Sequence, residues 1–365
     1  MKLFTCTHCQ QVVFFENVTC ERCGAATGYE PGSNTMIALE RAGDVWKPAG
    51  SHGPHAGGPD CRYCDNYRFG VCNWLVRADN PETYCLACRH NETVPDPDQG
   101  DNLAHWQAME IAKRRLFYTL LQLQLPLTDR RQDPNEGLGF DFLAEGASSS
   151  KKVMTGHDEG LITIALAEAD EAERVRRRQA LGEPYRTLLG HFRHEVGHWY
   201  WDRLVRDSSG NALAACRALF GDDTEDYAAA LKRHYENGPR PDWQQEFVSS
   251  YAGAHAWEDF AETWAHYLHI IDSLDTGRAW GVRTAPGVAP DGLLATDIGF
   301  DAYGHDTTVT QIADAWLALS AALNSFNRSM GHGDLYPFVL SPKVIEKLGF
   351  IHDLVRGRFG GARFG

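Results

Sequence analysis

The sequence predicts an α+β protein: a mainly helical domain with a small sheet, preceded by a tandem cysteine-rich module. Three observations carry that reading. Nine of the ten cysteines lie between Cys6 and Cys88, and Cys216 stands alone downstream. From Asn102 onward apolar residues recur at helical spacing. Short β-type runs bounded by glycines interrupt that pattern between residues 137 and 166. The 365 residues are enough for two or three folded units, and 43% hydrophobic with 23% charged residues excludes a largely disordered or collagenous chain. No run approaches the roughly 18 uninterrupted apolar residues of a membrane span. Met1-Lys2-Leu3-Phe4-Thr5-Cys6 leads straight into polar sequence, so the expectation is a cytoplasmic protein without a membrane partner. Lysine plus arginine number 35 against 49 acidic residues, a net charge of −14 that repels phosphate backbones, so no nucleic-acid partner is expected.

In chain order, Cys6-Thr-His-Cys9 and Cys20-Glu-Arg-Cys23 come first, two C-x-x-C pairs that aim four thiolates at one tetrahedral zinc. Between them Gln11-Val-Val-Phe-Phe15 reads as a strand joining two metal knuckles. Without a secretory leader, disulfides are the weaker alternative. The next cluster holds five thiols, Cys61, Cys64, Cys72, Cys85 and Cys88. Spacing alone favours Cys61-x-x-Cys64 with Cys85-x-x-Cys88 and leaves Cys72 in the core before Asn73-Trp74-Leu75. Residues 47–60, rich in Gly, Pro and His and including His52 and His55, read as a flexible linker. Units this small bury too little apolar surface to be stable without metal. The predicted domains are a tandem zinc-ribbon module over 1–94, a helical domain over 101–356 and a flexible basic tail over 357–365.

Residues 102–125 form an amphipathic helix stopped by Pro126. Residues 137–143, 152–155 and 161–166 read as strands, with 156–160 as a connection in which His157 is an ordinary surface residue. Helices over 223–235, 308–330 and 342–355 read as scaffold.

The chemistry centres on His194-Glu195-Val196-Gly197-His198 within a helical run over 185–205, with Pro184 at its start. Two histidines four apart share a helix face and reach one zinc, and Glu195 is placed to take a proton from water there. A catalytic zinc takes three protein ligands and keeps one open position. No following histidine completes the set, because His198 leads into Trp199-Tyr-Trp-Asp-Arg203. The acidic helical segment Trp257-Glu258-Asp259-Phe260-Ala261-Glu262 supplies the third ligand instead. Glu258 and Glu262 share a face; Glu258 is the predicted ligand, and Glu262 is predicted to hold a ligand histidine through its second ring nitrogen. Asp259, about 100° around the helix, is the weaker choice. His255, His266 and His269 are the competing ligands nearby.

These residues resemble a family of bacterial zinc-binding metallopeptidases that join an N-terminal zinc-ribbon region to an H-E-x-x-H domain. The resemblance runs over nearly the whole chain, through Cys72-Asn-Trp-Leu-Val, Cys85-Leu-Ala-Cys-Arg, Thr155-Gly-His, Glu183-Pro-Tyr-Arg-Thr-Leu-Leu-Gly-His-Phe-Arg-His-Glu-Val-Gly-His198 and Glu258-Asp-Phe-Ala-Glu-Thr-Trp-Ala-His-Tyr-Leu-His269. It implies Cys64, Cys72, Cys85 and Cys88 as the second thiolate set. More distantly, Tyr251 ahead of Glu258-Asp-Phe-Ala-Glu262 is similar to the zinc-ligand helix of lethal-factor-like gluzincins, which implies a tyrosine facing the metal.

The expected fold of the second domain is therefore zincin-like. The expected activity is peptide-bond hydrolysis by zinc-activated water with Glu195 as general base and Tyr251 assisting. One catalytic and two structural zinc ions are expected. The partner is a peptide or protein substrate, with a further protein partner through the ribbons, and strand 161–166 is expected to pair with extended substrate as a sheet edge. The alternative is a zinc-ribbon adaptor with an inactive second domain.

Overall fold

Glycine, proline and paired cysteines break the N-terminal sequence into short strands, and long apolar-periodic runs give helices thereafter. The computed structural model of the protein describes residues 2–50, 58–144, 153, 155–181, 187–288 and 292–360. His52, His55, Pro184, much of the predicted strand 152–155 and residues 361–365 of the tail lie outside the described residues. The chain divides into two compact units, residues 1–121 with 127–174, and residues 122–126 with 175–365. That division falls later than the change in composition near residue 100, because the first long helix is grouped with the cysteine-rich sequence.

In the first unit β1 (Phe4–Thr5) and β2 (Val12–Val13) form a hairpin that carries the first cysteine knuckles. Five strands follow as an antiparallel meander in sequence order: β3 (Ala26–Glu30), β4 (Thr35–Ala42), β5 (Val45–Pro48), β6 (Cys61–Tyr63) and β7 (Leu75–Arg77). The stretch read as a linker from residue 47 thus begins within β5, whose Lys47 and Pro48 pair with Glu40 and Leu39. Ile37, Leu39, Cys61 and Leu75 form a core cluster of this sheet. Phe15, Tyr29 and Trp74 stack beside it with ring centroids 4.7–6.1 Å apart. Tyr118 of α1 (Asn102–Gln122) joins them 5.6 Å from Phe15.

A second sheet has the order β10-β11-β9-β8, built from β8 (Asn91–Thr93), β9 (Gly139–Leu143), β10 (Gly156–Asp158) and β11 (Leu161–Ala165). Two expectations change here. Residues 156–158 of the expected connection are themselves the strand β10, and only Glu159 and Gly160, at φ 43° and 82°, turn the chain back in a two-residue hairpin. β11 is not a sheet edge: it pairs on one side with β10 and on the other with β9, so its backbone is not open to an extended substrate.

The second unit is helical. It continues from α2 (Glu171–Leu181) through α3 (Leu188–Trp201), α4 (Ala212–Phe220), α5 (Tyr227–Asn237), α6 (Trp243–Glu246) and α7 (Ala256–Ala279). A two-strand ribbon, β12 (Arg283–Thr284) with β13 (Thr296–Asp297), precedes α8 (Val309–Ser329) and α9 (Pro342–Leu354). Helix starts follow side-chain caps: the Thr187, Asp226, Thr308 and Ser341 side chains each accept a backbone N–H of the first turn. The Asp226 cap explains why α5 begins at Tyr227 rather than at residue 223.

α7 is the core helix of this unit and packs against α3, α4, α8 and α9. Its crossing with α3 is close because Gly197 has no side chain; a Cβ there would stand 3.1 Å from Ala261 Cα and 3.2 Å from Trp264 Cδ1. Among the described residues no helix is long and apolar enough to cross a membrane.

Candidate active site

The α3 and α7 crossing sets the site. His194 and His198, one turn apart on α3, point their Nε2 atoms at the first turn of α7 and lie 3.2 Å from each other. Glu258 Oε2 lies 3.0 Å from His194 Nε2 and 3.6 Å from His198 Nε2. Nitrogen and oxygen ligands about 2.05 Å from a tetrahedral zinc stand about 3.3 Å apart, so the three atoms have the spacing of a zinc-ligand face. Glu258 is 1% exposed, and apart from the two imidazole nitrogens Oε2 has no hydrogen-bond donor among the described residues. A buried carboxylate oxygen shared by two imidazoles is suited to a cation held among the three. The donor chemistry and the geometry therefore fit zinc.

The surrounding groups hold these side chains. His194 Nδ1 meets Glu262 Oε1 at 2.7 Å, and Ser249 donates its hydroxyl to Glu262 Oε2 at 2.6 Å. Burial works against a charged His194, but hydrogen bonds and charges from Glu258 and Glu262 hold its pKa well above the ordinary imidazole value. Burial would raise Glu258, and the two imidazoles outweigh it and keep the carboxyl well below its usual range. The Trp257 ring lies 3.8 Å, centre to centre, from that of His198. Glu195, half-buried on α3, lies close enough that its charge contributes to raising the phenols of Tyr251 and Tyr227.

Tyr251 opens a short 3-10 turn, Tyr251–Ala254, ahead of α7, with its ring 6.1 Å from that of His194. Burial first, then the charge of Glu258, push its phenol far up, so it is a neutral donor. The rival candidates are engaged elsewhere. Asp259 bonds Lys347 Nζ of α9 at 2.6 Å. His255 caps α7, its Nδ1 accepting from Trp257 N at 3.0 Å. His266 Nδ1 meets the Tyr336 hydroxyl at 2.7 Å, and His269 meets Arg193. Sequence reading missed Tyr227, which donates its hydroxyl to Glu258 Oε1 at 2.5 Å, and Ser249. Neither stands in a motif; an aromatic at the start of a capped helix gives no sign of what lies across from it.

In the first unit Cys6, Cys9, Cys20 and Cys23 converge, as do Cys64, Cys72, Cys85 and Cys88. Sulfur pairs stand 3.8 Å apart for Cys6 and Cys23, 3.6 Å for Cys9 and Cys20, and 3.7 Å for Cys72 and Cys85. Thiolates about 2.3 Å from tetrahedral zinc stand about 3.8 Å apart, whereas a disulfide would need about 2.05 Å. Cys61, the choice that symmetry of spacing favoured, lies outside the second cluster. It packs with Ile37, Leu39 and Leu75, faces the Pro59 carbonyl at 3.4 Å, and has its thiol pushed up to about 11 by burial.

A histidine pair and a carboxylate on crossed helices, with two four-cysteine clusters upstream, are the features of a zinc-binding metallopeptidase with an N-terminal zinc ribbon. The chain belongs to that family: residues 102–354 match the family model described as "Putative zinc-binding metallo-peptidase", and residues 3–99 match a zinc-ribbon domain. Its relatives include uncharacterized proteins of Mycobacterium bovis and of two Mycobacterium tuberculosis strains, each 44% identical over 357 residues, 97% of this chain and 95% of theirs. No solved structure matches.

Proposed function

We propose that the protein is a zinc-dependent peptidase whose metal is held by His194, His198 and Glu258, and that its two cysteine clusters each hold a structural zinc. The observation that supports it is the convergence of two Nε2 atoms and one buried Oε2 at 3.0–3.6 Å on a single point. When bound, zinc supplies Lewis acidity that lowers the pKa of water in the site and polarises a carbonyl. Glu195 then takes the proton from attacking water and returns it to the leaving nitrogen. Tyr251, neutral and near the carboxylates, donates to the carbonyl oxygen as negative charge develops there. Glu262, steadied by Ser249, fixes the tautomer and direction of His194. The substrate is a peptide or protein, and reduced thiolate clusters suit a cytoplasmic setting.

Glu195→Gln tests the proposal, because the amide keeps the shape but cannot take the proton. In a peptide-library digest the variant is expected to keep wild-type zinc content and lose nearly all turnover. Undiminished cleavage by Glu195→Gln would sink the mechanism.

A further inference from the structure

The two oxygens of Glu258 have different surroundings. Oε2 faces the His194 and His198 nitrogens, whereas Oε1 accepts the Tyr227 hydroxyl at 2.5 Å. A phenol this close to a buried carboxylate makes a charge-assisted hydrogen bond. Its direction is set, because an ionised carboxylate only accepts.

The hydroxyl is delivered by a well-anchored element. The Tyr227 ring stands edge-on to His255 and Trp257, with centroids 5.3 and 5.7 Å away. His255 Nδ1 accepts from Trp257 N, which leaves its Nε2 to donate to the Glu225 carbonyl at 3.1 Å. That bond fastens the residues just before α5 to the start of α7. Asp226 then starts α5 by accepting from Ala229 N at 2.9 Å, so Tyr227 occupies the first helical position, directly across from Glu258.

We propose that Tyr227 is a positioning residue of the metal site: by occupying Oε1 of Glu258 it restricts that carboxylate to one donor atom, Oε2, and so keeps a coordination position open. This rests on Glu258 being a metal ligand. A carboxylate released from Oε1 could turn and chelate through both oxygens, becoming a fifth ligand beside the water and taking the position that substrate would enter. The geometry separates this role from that of Glu262, which acts on His194 from the other side.

The test uses the full chain and cobalt as the probe. A mild chelator strips the histidine site while the thiolate clusters keep their zinc, confirmed by metal content, and Co²⁺ is titrated back. Tyr227→Phe keeps the ring and deletes only the hydroxyl. It is expected to retain wild-type circular dichroism and cluster zinc, to bind Co²⁺ about 10–100-fold more weakly, and to shift the visible bands toward the weaker absorption of a five-coordinate ion. Both changes are required; wild-type affinity or an unchanged spectrum overturns the proposal. Tyr227→Leu guards against a packing effect. If only Tyr227→Leu differs from wild type, the ring and not the hydroxyl matters, and the proposal fails. His194→Ala distinguishes failure of the metal site itself: persistence of the cobalt bands in that variant would remove the ligand set and this role together.

Discussion

His194 carries two tasks on one ring, Nε2 toward Glu258 and Nδ1 on Glu262. The carboxylates that sequence pairs by spacing thereby face opposite nitrogens of one ring, Glu258 beside the second histidine and Glu262 away from it. Glu258→Ala is expected to release the active-site zinc in dialysis against a mild chelator, whereas Glu262→Ala is expected to weaken binding or activity by about 10–100-fold. The reverse order of zinc retention would exchange their roles. Tyr251 makes a different demand, since its hydroxyl acts on charge that develops only during the reaction. Tyr251→Phe is expected to lower kcat by about 10²–10³ with zinc content, fold and KM near wild type. A normal kcat would assign the ring to packing against His194 and His234, 6.1 Å away on either side.

At the scale of the element, the glycine of the motif matters as much as its histidines. Gly197 is where α3 approaches the Ala261 backbone and Trp264, so the spacing between the histidines and Glu258 depends on it. Gly197→Val is expected to destabilise the protein by about 1–3 kcal/mol, measured by denaturant unfolding, and to lower affinity for the active-site metal as the helices part. Wild-type stability and metal affinity would show that the crossing has slack. The long helices were legible because 3.6-residue periodicity and capping residues are local signals, as Thr308 and Ser341 mark helix starts one residue ahead of Val309 and Pro342, whereas the shorter α2 and α4 were not read. Strand neighbours were not. β11 alternates half-buried and buried side chains, a pattern of one buried face that does not tell an edge from an interior strand, and only its pairing with both β10 and β9 places it inside.

For the whole molecule, the two kinds of ligand set predict two stages of metal loss. A mild chelator is expected to remove the histidine-site zinc with the circular dichroism signal kept, because α3 and α7 are packed through Val196, Phe260, Ala261 and Trp264, all fully buried. A thiol-reactive mercurial is expected to release two further zinc ions and to unfold the cysteine-rich sequence. Its strands are short, and the eight clustered thiols tie together segments that the apolar contacts of Ile37, Leu39, Cys61 and Leu75 do not reach. A total of two zinc ions would remove one of the ligand sets.

By itself the sequence marked the candidate residues: H-E-x-x-H, the carboxylates of residues 258 and 262, and paired cysteines are recognisable because helix periodicity and knuckle spacing act over a few residues. It also limited the second thiolate set to five candidates without deciding among them. Tertiary structure made that choice, because strand β6 turns Cys61 into the apolar core while Cys72 comes back to Cys85 at 3.7 Å. Tertiary structure also decided that Asp259 answers Lys347 and that Tyr227 meets Glu258 across 31 residues of sequence. These are contacts between elements far apart in the chain, and no local pattern encodes a partner that only the packing of helices brings within reach.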